Sequence, residues 1–202
     1  MILERHARMR LAMELIARRA RVSIVHHEAG VPRDTLRALY RELHGVSAPS
    51  GQLPTIGGTT INSRRRQLQA SLFAVTYLRC RGQAAAEQAS GISEASIYTI
   101  IAAHDVCRTL AGAENSLDIT RCWVTARDLH IGTAKLLGCR ACEVHFLVAE
   151  QSRFDRTCPI CSLYRNYNEA PAVTGEAAGN AFAQSLQLPP APMFQRWSGG
   201  LA

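Results

Sequence analysis

Four cysteines in two pairs constrain the fold of this chain more than any other sequence feature. They form Cys-Arg-Ala-Cys and, fifteen residues later, Cys-Pro-Ile-Cys. Two intervening residues let both sulfurs of a pair reach one ion, and two such pairs complete a tetrahedron of thiolates. Because the spacing is in the range of zinc ribbon-like sites, it predicts one structural zinc ion held by Cys139, Cys142, Cys158 and Cys161.

Other uses of these cysteines are less well matched to the pattern. A redox pair needs only one Cys-x-x-Cys, and nothing else here resembles a thioredoxin-type unit. An iron–sulfur cluster also takes four thiolates and stays open as an alternative. Four cysteines leave no open coordination position, so the metal is expected to be structural. Cys80, Cys107 and Cys122 stand alone in helical patterns and are predicted to be small core residues.

Signals for a membrane, for export and for catalysis are lacking in the sequence. No apolar run approaches the roughly 18 to 20 residues of a membrane span. The N-terminus lacks the apolar segment of a signal peptide, so we expect a cytoplasmic protein, where disulfides are rare. The chain has neither a phosphate-binding glycine loop nor a nucleophile elbow. Together with the closed metal site, this predicts a protein that is not an enzyme.

The positive charge is concentrated in the first 81 residues. Residues 1–45 carry nine arginines against five acids, and residues 64–81 carry five arginines and no acid. Lys135 is the only lysine in a chain whose net charge is +7. Guanidinium groups match phosphate oxygens and guanine edges, so this bias suits nucleic acid. A GC-rich genome, which favours arginine codons, is the alternative explanation.

Hydrophobic periodicity predicts a mainly α-helical fold, with a helical N-terminal body and a small zinc-ribbon-like C-terminal module built on the four cysteines. The body is assigned to residues 1–137, the zinc module to 138–167 and a mostly disordered tail to 168–202. Within the module, alternation over 143–148 predicts a small hairpin that carries the second cysteine pair. Predicted helices span 3–20, 22–29, 33–43, 64–81, 84–90, 93–104 and 117–137, with a glycine- and proline-rich linker at 45–63.

Two segments have the order of a helix-turn-helix, with a glycine, an apolar residue and a new helix start. They are residues 29–36 and 90–97. The second helix of such a unit can enter the major groove. A plain connection between packed helices is the alternative. The first segment has the better chemistry, because Arg33 and Arg37 share one helix face and are predicted to approach bases.

Three adjacent arginines begin the helix after the linker. Arg64, Arg65 and Arg66 point in several directions, so at least one is expected to face solvent and contact phosphate. A solvated helix start is the alternative interpretation.

Several stretches resemble the FlhC family of flagellar transcriptional activator subunits. The resemblance covers about residues 5–165 and is strongest in Leu-Ala-Met-Glu-Leu-Ile at 11–16 and in the four cysteines. Residues 36–54 and Ala-Ser-Leu-Phe at 70–73 are similar as well. Thr-Arg-Cys-Trp at 120–123 matches except at Cys122, where the family pattern has alanine.

The resemblance implies a specific function. FlhC-like proteins are not enzymes; they assemble with FlhD, a small helical partner, in a heterohexamer that binds promoters of flagellar operons and recruits RNA polymerase. It also implies that zinc holds the C-terminal part together. A zinc-containing interaction adaptor without direct DNA contact is the competing interpretation.

Overall fold

Helices dominate the computed structural model, which describes residues 2–87, 96–150, 152, 154 and 157–169. Strands β1 (Ala134–Gly138) and β2 (His145–Ala149) pair antiparallel. The helices are α1 (Ile2–Ala17), α2 (Val22–Ala29), α3 (Arg33–His44), α4 (Arg64–Glu87), α5 (Ile97–Ala111), α6 (Ile119–Ile131) and α7 (Pro159–Glu169). The predicted fold class, mainly α with a small C-terminal cysteine module, is confirmed.

The first three helices pack on one another as the apolar spacing predicts. α2 has the predicted bounds, and α3 ends at Gly45, whose φ of +67° favours glycine. Leu36 and Tyr40 of α3 are buried. Leu43, predicted to face inward, is half exposed, so that part of the prediction is wrong.

Several predicted helix bounds differ from the structure. α1 ends at Ala17 rather than at residue 20, because Arg19 adopts φ +62°. α4 continues through Gly82 to Glu87, into the range predicted as a separate helix at 84–90, and it packs against α5. α5 begins at Ile97 and runs further than predicted. The helix expected over 117–137 ends at Ile131, because Gly132 adopts φ +90° and donates its N–H to the Asp128 carbonyl.

Apolar spacing in the sequence predicts a buried stripe of Leu68, Leu72, Val75 and Leu78 on α4, and the buried face that the structure shows is offset from it. Leu68, Leu72 and Val75 are only partly buried, and Leu78 is exposed. The buried positions instead combine apolar residues with three polar ones: Gln67, Gln69, Ala70, Ser71, Phe73, Ala74 and Tyr77. Two of the polar residues, Gln67 and Ser71, contact β2, as described below.

The linker at 45–63 is anchored at two isoleucines. Ile56 and Ile61 are buried at either end of a π-helical turn (Ile56–Thr60). A Cβ at Gly58 would lie 2.8 Å from the Thr55 hydroxyl, so a larger residue there would displace that side chain. The linker therefore forms part of the packed structure while containing no regular α-helix.

Residues Met1–Asn168 form one compact unit. The predicted boundary between residues 137 and 138 falls inside β1, and a division there stays a prediction. The second helix-turn-helix segment lies mostly outside the described residues, and so does the predicted tail beyond Glu169. In the described part of the chain, every helix is too short or too polar to cross a bilayer.

An ion pair joins α1 to α5. The Arg18 guanidinium donates two hydrogen bonds to the Asp105 carboxylate, at 2.6 and 3.1 Å. These bonds lower the pKa of Asp105. The adjacent His104 is almost fully buried, and burial lowers its pKa below the ordinary 6.5.

Stability is expected to fall as the pH drops below about 6.5, because unfolded His104 binds a proton that the folded state resists. The stabilisation is fully present above that pH and is lost toward the lower folded pKa. Asp105 adds a loss only at more acidic pH, below its ordinary 3.8. Urea unfolding between pH 7.5 and 5 measures the slope, and His104→Gln should flatten it. An equal slope in both proteins would contradict the assignment and leave the cysteines as its source.

Candidate metal centre and arginine clusters

The four predicted cysteines come together at one point. All four sulfurs lie within 4.8 Å of one another. The Sγ atoms of Cys139 and Cys161 are 3.7 Å apart, and those of Cys142 and Cys158 are 3.6 Å apart. Thiolates at about 2.3 Å from a central zinc ion stand about 3.8 Å apart in a tetrahedron. The sulfur arrangement therefore fits a tetrahedral metal ion.

Two different local structures supply the two pairs. Cys139 and Cys142 occupy the turn between β1 and β2, closed by hydrogen bonds from the Cys139 N–H to the Val144 carbonyl and from the Glu143 N–H to the Cys139 carbonyl. Glu143 takes φ +59° to make this turn. The second pair does not lie on the hairpin as predicted. Cys158 and Cys161 flank the start of α7, because Pro159 suits a first helical turn.

The protonation preferences within the cluster favour a cation. Backbone N–H groups of Cys142 and Ala141 hydrogen-bond the Cys139 sulfur and lower its pKa to about 6. The neighbouring thiols, first Cys142 and then Cys139, raise the pKa of Cys161 to about 12. Four negative sulfurs this close repel one another unless a positive ion lies between them. The donor set thus suits a divalent ion bound by thiolates.

Two polar side chains of α4 attach the hairpin to the helical body. The Ser71 hydroxyl accepts a hydrogen bond from the Leu147 N–H at 2.8 Å, and Gln67 Nε2 donates to the Leu147 carbonyl at 3.1 Å. Leu147 is the middle residue of β2, and its backbone groups face α4 rather than β1. Side chains of α4 therefore satisfy the backbone groups on the edge of β2 that does not face β1.

Arg64 links the same helix to the second cysteine pair. Its guanidinium donates to the Gln67 side chain at 3.0 Å and to the Thr157 carbonyl at 3.1 Å, next to Cys158. It also lies over the Phe154 ring, 4.8 Å from the centroid. Arg64 therefore has a structural role beside the cysteine cluster, whatever else it contacts.

Comparison with known proteins identifies the family. The family model described as "Flagellar transcriptional activator (FlhC)" matches residues 1–170. The chain belongs to the FlhC family. The matched range includes all four clustered cysteines and Arg33, Arg37, Arg64, Arg65 and Arg66.

Three relatives show the extent of the similarity. The chain is 34% identical over 138 residues to the flagellar transcriptional regulator FlhC of Cupriavidus metallidurans, which covers 68% of this chain but 62% of that protein. Identity is 31% to the Cupriavidus necator FlhC, over 75% of this chain and 72% of the relative. It is 30% to the Yersinia enterocolitica FlhC, over 75% and 76%. The chain thus spans less than two thirds of the first of these relatives.

The other arginines of the 64–66 run also contact neighbouring groups. The Arg65 guanidinium donates to the side chain of Asn115. Arg66 donates to the side chain of Gln69 at 3.2 Å. Arg65 is exposed and Arg66 is partly buried. Among the three, Arg65 offers the most accessible charge.

The α2–α3 unit presents its arginines to solvent. α2 ends at Gly30 with φ +65°, and α3 begins three residues later. Arg33, Arg37 and Arg41 are all exposed on α3. Arg37 also pairs with Asp34 at 2.8 Å, a weak surface interaction. This helix of an FlhC-family protein therefore carries an accessible basic face.

The remaining cysteines follow the sequence prediction. Cys107 and Cys122 are buried and Cys80 is partly buried. None of the three joins the described cluster of Cys139, Cys142, Cys158 and Cys161. His145, between the pairs, is an exposed first residue of β2.

Proposed function

We propose that this chain is the DNA-binding subunit of a flagellar transcriptional activator. Its membership of a family of flagellar transcriptional regulators is the observation that carries this proposal. In this proposal it assembles with an FlhD-like helical partner in a heterohexamer, binds promoters of flagellar operons in the cytoplasm and recruits RNA polymerase. It has no catalytic role.

The metal centre is proposed to hold one structural zinc ion. Cys139, Cys142, Cys158 and Cys161 would bind it as thiolates and leave no position open for a substrate. The zinc ion would cross-link the β1–β2 turn to the start of α7. Residues 138–167 would then form a module whose folding depends on the metal.

The exposed face of α3 is proposed to meet the DNA. Arg33 and Arg37 lie in the first half of the helix that follows a helix-turn-helix-like bend, where such units reach base edges. The run 64–66 is proposed to add phosphate contacts. Arg65 is the best placed of its three arginines, because Arg64 and Arg66 are less exposed.

One exposed apolar surface on α5 is compatible with the adaptor function as well. Tyr98, Val106 and Leu110 of α5 are exposed at 55%, 42% and 68% and recur at intervals of eight and four residues, which places them on one face. Such a stripe is typical of a protein contact. It suits either function, since an activator subunit also needs a partner.

A gel shift separates the two functions. Flagellar promoter DNA is mixed with the full-length chain alone, with the helical partner alone and with both. If the DNA is retarded by the chain alone, or by the mixture but not by the partner alone, the result supports the activator function. A stable complex with the partner that leaves the DNA unshifted in every mixture supports the adaptor.

Arg33→Ala and Arg65→Ala are expected to weaken promoter binding and to lower the slope of log affinity against log salt. Removing one phosphate contact lowers that slope by about 1. A base contact would instead reduce discrimination between the promoter and unrelated DNA. Fluorescence anisotropy over a salt series measures both quantities. Arg64→Ala is a less clean variant, because it also removes the Thr157 and Phe154 contacts.

Arg79→Ala is the matched control, since it removes an exposed arginine of α4 that lies far along the helix from residues 64–66. If Arg33→Ala and Arg65→Ala bind with the wild-type slope and affinity, neither arginine belongs to the interface.

A further inference from the structure

We propose that a cavity between the end of α1, the linker and the start of α6 binds a phosphate-type oxyanion. The cavity has a volume of about 590 Å³. Three arginines and two threonines supply hydrogen-bond donors along its wall: Arg19, Arg21, Arg121, Thr55 and Thr120. The hydroxyl of a third threonine, Thr59, already donates to the Thr55 carbonyl.

The charge in this cavity is strongly positive. Asp118 is the one acidic residue among those lining it, and its carboxylate is already engaged. One oxygen accepts the Arg121 backbone N–H at 3.0 Å, and the other pairs with the Arg121 guanidinium. Arg19 and Arg21 have no acidic partner in the described part of the chain. An anion would complement these two charges.

Arg121 is partly accessible at the cavity. Its side chain is 30% exposed. The Nε–H is inaccessible to solvent, and therefore also to a ligand oxygen, so a phosphate would contact the terminal Nη groups of this guanidinium.

Arg19 occupies a backbone position that normally selects glycine. Its φ is +62°, and the α1 end is closed by bonds from the Arg19 N–H to the Ile16 carbonyl at 2.7 Å and from the Ala20 N–H to the Leu15 carbonyl at 3.0 Å. Its side chain makes no hydrogen bond or ion pair with any described residue. The closure of the α1 end therefore explains the positive φ, and the Arg19 guanidinium remains available to a ligand.

Arg21 is fixed in place before any ligand arrives. Its Nη1 donates to the carbonyls of Ser50, Gly51 and Gln52 at 3.1, 2.9 and 3.0 Å. These bonds hold the linker as one wall and leave the other guanidinium donors for a ligand. The positive end of the 13-residue helix α6 lies at the same cavity.

Guanidinium groups and hydroxyls that line one cavity match the oxygens of a phosphate. The ligand is either a phosphate of the DNA backbone or a free phosphate ester. The site itself stands independently of the proposed function, since its evidence is the cavity and its arginines.

Titration of the full-length chain with inorganic phosphate, against chloride at equal ionic strength, tests the site. Thermal unfolding and calorimetry are expected to show saturable stabilisation of the wild type. Arg19→Gly should weaken phosphate binding about tenfold, because it removes a charge-assisted contact. The same variant should unfold at a higher temperature without phosphate, because glycine relieves the strained backbone.

In Arg19→Gly, weaker phosphate binding together with a higher unfolding temperature indicates a ligand role for Arg19, because a purely structural role would not lower the phosphate affinity. Arg121→Lys, which keeps the charge but removes the planar guanidinium fork, should also weaken phosphate binding, whereas the control Arg79→Gln should not. The proposal is overturned if phosphate has no saturable effect on the wild type. It is equally overturned if Arg19→Gly and Arg79→Gln bind phosphate alike.

Promoter binding by the same proteins, with the helical partner present, distinguishes a phosphate of the DNA backbone from a free phosphate ester. A salt slope lowered by about 1 in Arg19→Gly assigns the site to a DNA phosphate. An unchanged slope with lost phosphate binding assigns it to a free ester. If the wild type binds phosphate but no DNA in any mixture, the proposed function fails and the site remains.

Discussion

Cys158→Ser is expected to unfold the β1–β2 hairpin and the start of α7 and to abolish tight metal binding. Cys158 is the buried member of the cluster, and its sulfur lies 3.6 Å from that of Cys142. Zinc-finger peptides gain roughly 10 to 16 kcal/mol from their structural metal, which far exceeds the stability of a hairpin this small. The two five-residue strands are therefore expected to depend on the cross-link, although α4 also contacts β2.

Metal content of the purified protein, together with limited proteolysis at 138–167, measures this effect. The wild type should carry one metal ion per chain and resist cleavage there, and Cys158→Ser should do neither. Cys80→Ser is the control, because Cys80 lies outside the cluster. Since the variant can aggregate, chelation of the wild type provides a second route to the metal-free protein. A metal-free chain whose hairpin still resists protease would contradict the prediction.

Local sequence patterns were sufficient for the features that local interactions decide. The Cys-x-x-Cys pairs need only two short turns, each formed by adjacent residues, and so the cluster was predictable residue by residue. The bounds of α2 were predictable for the same reason, since Gly30 ends it in a left-handed conformation.

Features that depend on distant partners were not predictable from the sequence. Leu136 and Leu137 continue a helical apolar pattern, yet they lie in β1, because pairing with β2 outweighs local preference. Arg64 looked like a solvent-facing member of a charged run, and its contacts with Phe154 and Thr157 lie some 90 residues away in sequence. An arginine run on its own cannot distinguish these contacts from contacts with phosphate.

The buried face of α4 shows the same limit. Gln67 and Ser71 are spaced as a polar pair on a helix, and polarity predicts exposure. They are buried because the outer edge of β2 offers them backbone partners in place of water. Their burial becomes evident only when it is known that β2 packs against this face of α4.

Gln67→Ala is expected to lower the free energy of unfolding by about 1 to 3 kcal/mol, the cost of leaving a buried polar group without its partner. The variant leaves the Leu147 carbonyl without its donor and removes the Arg64 acceptor as well. Gln67→Met keeps the volume while removing both bonds, so it should lose nearly as much if hydrogen bonding rather than packing dominates. Urea unfolding of the metal-loaded protein measures the difference.

Gln69→Ala is the matched control on the same helix. Gln69 is also buried, which makes its truncation comparable. Its partner, Arg66, is partly exposed and can hydrogen-bond to water when the amide is removed, so a smaller loss is expected. The same pair of variants tests whether α4 supports the metal centre.

Gln67 and Arg64 together connect α4 to β2 and to Thr157, the residue before Cys158. The Gln67→Ala protein should therefore release its bound metal to a chelator faster than the Gln69→Ala protein. Equal release rates in the two variants would show that the cysteine module holds its metal without help from the helical body.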